Sequence, residues 1–129
     1  MNEQIAYALE SDKPFDTVVQ NIESNVPKHQ FRVLAVHNVQ ETLAEKGFEH
    51  GPLVIIEVCN ASFAHRALSR QPDVALFMPC RYAVYGDGPK TVVKLNRPGM
   101  IAQMMPDAGL DDLAAEVEET LKTIMRESV

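Results

Sequence analysis

Hydrophobic and polar residues alternate with a period of two at the start of the chain, then shift to a helical period. Along residues 3–9, Ile5, Tyr7 and Leu9 fall on one side and Gln4, Ala6 and Ala8 on the other, which predicts a half-buried strand. Glu10-Ser11-Asp12-Lys13-Pro14 breaks the pattern. Asp12 is placed to cap a following helix, and Pro14 suits its first turn. Phe15, Val18, Val19, Ile22 and Val26 then recur at helical spacing, and Pro27 ends the helix. Residues 31–36 carry apolar side chains on both faces, which predicts an internal strand. Asn38 and Glu41 have the spacing of a capping box, and Gly47 closes the short helix behind them in a left-handed turn.

Leu53-Val54-Ile55-Ile56-Glu57-Val58 is nearly continuous apolar sequence rich in β-branched residues. It predicts a central strand, covered on both faces or set at a dimer interface. Asn60 caps the next helix, whose inner stripe is Phe63, Ala64, Ala67 and Leu68, and Pro72 ends it. Pro79 holds Met78 extended and opens a strand over 80–85. The turn Gly86-Asp87-Gly88-Pro89 and residues 91–95 complete a hairpin. Residues 98–109 break the pattern, with a short apolar piece of undefined form. Leu110, Leu113, Ala114, Val117, Leu121, Ile124 and Met125 give the strongest helical stripe, over 111–126, with acids early as the helix dipole prefers. The order β-α-β-(short α)-β-α-β-β-α predicts an α+β fold. It has a single, largely antiparallel sheet of about five strands with two long helices, 15–26 and 111–126, packed on one face. The uncovered face favours pairing, so a homodimer is expected.

Composition narrows the function classes. The 129 residues suit one domain, 1–129, with one core. A net charge of −6 argues against nucleic acid and against an anionic membrane surface. No apolar run approaches the ~18 residues of a membrane span. The start, Met1-Asn2-Glu3-Gln4, has no basic and apolar signal pattern, so a cytoplasmic location is expected. Two cysteines in such a chain are expected to be thiols.

Residues 31–47, Phe31-Arg32-Val33-Leu34-Ala35-Val36-His37-Asn38 through Gly47, resemble a known family. The likeness runs on through Glu57-Val58-Cys59-Asn60 and Met78-Pro79-Cys80-Arg81 to the final helix. The family is the Domain of Unknown Function 302, small prokaryotic proteins that mostly stand alone. Two departures stand out. Ala61 occupies a place where the family commonly has proline, and Ala75-Leu76-Phe77-Met78 precedes Pro-Cys where glycine and leucines are common. The resemblance implies a compact α+β fold, often dimeric. It implies no established activity and brings no catalytic residues.

Few residues point to chemistry. Cys59 stands just before a capped helix, whose N-terminus favours a thiolate, although Glu57 on the same strand face works against it. Cys80 opens a strand beside Arg81. Glu57, Cys59, Asn60, Cys80 and Arg81 therefore form a candidate thiol site. Three readings stay open for the cysteines: small packing residues, reactive or redox thiols that exchange disulfides, carry sulfur or sense oxidants, and ligands of a soft metal together with His65. His29, His37, His50 and His65 show no metal-binding spacing. Met78, Met100, Met104 and Met105 form a candidate apolar surface or pocket, and Met100 and Met104 are one helical turn apart. Glu116-Val117-Glu118-Glu119 reads as the solvated face of the last helix. No catalytic constellation, phosphate loop or dinucleotide fingerprint is present, and no cofactor or metal is expected. The leading expectation is a non-enzymatic dimeric module that binds a small apolar ligand or a partner protein.

Overall fold

The structure, a computed structural model, describes residues 2–129, and Met1, part of the start read above, lies outside them. Five strands build one sheet: β1 (Ala6–Ser11), β2 (Arg32–Asn38), β3 (Leu53–Cys59), β4 (Cys80–Asp87) and β5 (Lys90–Asn96). Their order is β1-β5-β4-β3-β2, and every neighbouring pair is antiparallel. The helices are α1 (Asn2–Ile5), α2 (Phe15–Asn25), α3 (Val39–Ala44), α4 (Ala61–Arg70), α5 (Pro98–Met104) and α6 (Asp111–Ser128). Short 3-10 turns run over Pro27–His29, Pro72–Phe77 and Pro106–Ala108.

Strand periodicity decides which side of the sheet is dry. Val54, Ile56 and Val58 of β3, Tyr82 and Val84 of β4, and Val93 and Leu95 of β5 are buried. They meet Val18 and Ile22 of α2 and Leu121, Ile124 and Met125 of α6 in one core. The two long helices thus cover one face, as their apolar stripes require. The Tyr82 hydroxyl, inside this core, donates to the Leu121 carbonyl at 2.7 Å. Leu53, Ile55 and Glu57 of β3, with Arg81, Ala83 and Tyr85 of β4, alternate onto the other face.

Local signals worked where the chain supplies its own partner. Asn38 accepts the Glu41 N–H at 3.1 Å, and Asn60 accepts the Phe63 N–H at 3.0 Å. Gly47 and Gly88 take the positive φ that their turns demand, +82° and +60°.

Several expectations need correction. Ile5 belongs to α1 and is exposed, because the strand begins only at Ala6, where pairing with Asn96 starts. Asp12 caps nothing: it pairs with Lys90 across the hairpin end, and Pro14 occupies the N-cap position of α2. β2 is an edge strand, despite apolar residues on both faces. A bulge between Val33 and Ala35 shifts its register, and Leu34 and Val36 are left exposed. The segment of undefined form contains α5. Glu118, read as solvated, is only 8% exposed, because α5 folds back over it.

Candidate functional site

At the end of the sheet where β3 finishes and β4 begins, an apolar hollow opens between the main core and a second, smaller one. The smaller core is Val74, Ala102, Leu110 and Ala114, from the Pro72–Phe77 turn, α5 and the start of α6. Each element contributes to the walls. β3 and β4 give Val58, Cys59 and Cys80; α4 gives Phe63, Ala64 and Ala67; α5 gives Pro98, Ile101 and Ala102; α6 gives Leu113, Ala114 and Val117. The cavity is about 90 Å³. At about 30 Å³ for each water, it has room for about three waters.

The small size of the alanines is what leaves the space. Ala64 and Ala67 lie on the inward stripe of α4, and Ala114 on that of α6. A leucine at any of these places would reach across the gap. Polar atoms nearby are already used. The Asn60 amide accepts from Phe63 N–H and donates to the Gln30 carbonyl at 2.9 Å. Among the described residues no buried side-chain nitrogen or oxygen lacks a partner. The walls therefore offer dispersion and apolar burial rather than hydrogen bonds.

The expected thiol residues divide between two sides of the sheet. Cys80 lies directly opposite Val58 and packs against the main core, and Cys59, the last residue of β3, borders the same hollow, while Glu57 and Arg81 lie on the open face. Both cysteines line the hollow, and they are not bonded to one another. Burial raises the Cys59 thiol above its ordinary value. Burial, with a smaller contribution from the nearby Cys59, pushes Cys80 up to about 11, and Arg81 opposes this only weakly. Both thiols thus stay protonated near neutral pH. Glu57 and Arg81 form a cross-strand pair on the open face, 3.8 Å apart, and His37 stands 2.8 Å from the same carboxylate. His65 is exposed on α4.

The methionines are also divided. Met78 lines the hollow. Met105 packs against the smaller core, and Met104 is 56% exposed at the end of α5. Sequence reasoning did not find Pro98, Ile101 and Ala102 as lining residues. Their only signal was the apolar character of a stretch whose form the periodicity left open.

The geometry defines a small α+β domain with a one-layer helical cover over an antiparallel sheet and an apolar hollow at one sheet end. The family model described as "Domain of unknown function DUF302" matches residues 7–128. The chain belongs to that family. It is similar to the crystal structure of an uncharacterized conserved protein DUF302 from Bacillus stearothermophilus, with 30% sequence identity and a TM-score of 0.91. The match covers 97% of this chain and 98% of that one. No curated protein matches.

Proposed function

We propose that the protein is a non-enzymatic binding module that holds a small, uncharged, apolar molecule in the hollow. The observation that carries this reading is the chemistry of the walls: alanine, valine, leucine and phenylalanine side chains around a cavity of about 90 Å³, with the nearby Asn60 amide already engaged. Burying apolar surface contributes about 25 cal/mol per Å², so a small apolar molecule that fills the hollow gains affinity without any polar contact. The thiol alternative has less support, since burial raises both cysteines rather than activating them. Soft-metal binding has less again: among the described residues no three of His, Cys, Asp and Glu gather.

We also infer a homodimer. Its support is the open sheet face with half-buried Leu53, Ile55 and Tyr85, opposite the long helices, and the exposed Leu34 and Val36 on the edge strand.

The ligand reading is tested by titrating benzene and cyclohexane into the labelled protein and following amide and methyl resonances by NMR. Shifts are expected to concentrate on Val58, Ala67, Ala102 and Val117 and to vanish in Ala64→Phe, which fills the space. Shifts scattered over the surface, or unchanged in Ala64→Phe, would overturn it.

A further inference from the structure

The residues of the hollow belong to two cores, and one segment contributes Ala102 to the smaller core and walls the hollow with Pro98 and Ile101. Residues 98–108 run as a strap from the end of β5 to the start of α6. They include α5, and only Pro98 and Ala102 of that helix are buried. At one end Arg97 N–H donates to the Ile5 carbonyl at 2.9 Å, which ties the chain to the end of α1 just ahead of β1. At the other, Gly109 takes a φ of +65° that lets the chain turn into α6, and its carbonyl accepts from Arg70 at 2.7 Å on the surface.

Between these ends the strap is pinned by Glu118 of α6. Its carboxylate accepts from Gly99 N–H at 3.1 Å, from Arg97 Nε at 3.3 Å and Nη2 at 3.2 Å, and stands 2.9 Å from Lys122 Nζ. A Cβ at Gly99 would stand 3.1 Å from Oε1, so any larger residue there would push the carboxylate back by a few tenths of an ångström. The pin and the hollow share their elements: Val117 precedes Glu118, Ile101 follows Gly99 by half a turn, and both line the cavity.

We propose that residues 98–108 form a lid over the hollow and that Glu118 is the latch that sets how often the lid opens. The inference deepens the ligand reading above, and lid opening can be read without any ligand. A buried carboxylate with several donors holds strongly while paired, and loses that hold when one oxygen becomes an amide. Opening swings the strap about Arg97 and Gly109, lifts Ala102 away from Leu110 and Ala114, and admits a molecule to a cavity otherwise walled by α5. Local openings of this kind occur well below the cost of global unfolding in segments with few buried contacts.

The test is hydrogen exchange by mass spectrometry on the intact protein, with Glu118→Gln compared against wild type. Exchange of the amides over 98–108 is expected to rise tenfold or more, while β3, β4 and α2 keep their wild-type rates. Arg126→Ala, which removes the exposed pair with Glu119 and the guanidinium over the Tyr7 ring but none of the donors to Glu118, is expected to leave 98–108 unchanged. If Glu118→Gln does not fold, Lys122→Met removes one partner of the latch and is expected to give a smaller rise in the same segment. An unchanged strap, or a rise spread evenly over the molecule, overturns the latch. In the same samples, NMR lineshapes with benzene read the rate of exchange into the cavity. Faster exchange in Glu118→Gln supports the lid as a gate. A loosened strap with no benzene binding in wild type keeps the lid and removes the ligand reading.

Discussion

Native-state alkylation of the two cysteines separates inert from working thiols. Cys80 is raised from an ordinary value of 9.0 to about 11. Below pH 9 those two units mean about a hundredfold less thiolate than in the unfolded chain. A thiolate of higher pKa is intrinsically more nucleophilic, with a Brønsted slope of about 0.4–0.5, which returns roughly eightfold. The net expectation is a rate about tenfold slower than in urea, before burial of Cys80 slows access further. Cys59 shifts in the same direction, from burial alone, and is more open. The assay is iodoacetamide labelling from pH 6 to 10, native and unfolded, with each cysteine read by mass spectrometry. Cys59 is expected to label first and Cys80 last, both slower than unfolded. A native midpoint below about 8.5 for either cysteine would refute the reasoning, because an activating charge would then outweigh burial.

Acid stability reports on the latch. Burial alone would raise Glu118, but donors from Lys122, Arg97 and Gly99 outweigh it and hold the carboxyl below its ordinary 4.5. A folded value below the unfolded one means that the unfolded chain binds the proton more readily. The stabilisation is therefore full above the unfolded value and is lost as pH falls through the folded one. Urea midpoints measured from pH 6 to pH 3 are expected to fall more steeply in wild type than in Glu118→Gln below about pH 4.5, and parallel slopes would count against the latch. For the dimer, light scattering behind a sizing column is expected to give twice the chain mass, and Ile55→Glu on the open face is expected to give the monomer. A monomer at all concentrations would end that proposal.

Much of the fold was legible because it rests on short-range rules. A continuous β-branched run placed β3, Pro79 and the turn at residues 86–89 placed β4 and β5, the helical period placed α2, α4 and α6, and the Asn38 and Asn60 caps could be read three residues ahead of their partners. These signals depend on neighbours in sequence, so the sequence carries them whole. Residues 31–36 show the limit. Apolar side chains on both faces suggested an internal strand, but which strand lies at an edge follows from the order of pairing and not from the strand itself.

Glu118 shows the limit more sharply. Within α6 it sits in an acidic run, and nothing nearby in sequence marks it as buried. Only the return of α5, with Arg97 and Gly99, takes it out of water. The hollow has the same origin. Its alanines read as ordinary inward positions on α4 and α6, since each helix is unaware of how far the opposite wall stands. The sequence alone determined the elements, their apolar faces and the α+β class, because each follows from local periodicity and capping. Tertiary structure alone decided where two cores fail to meet and which carboxylate closes the gap, because a void and a latch are made by residues distant along the chain.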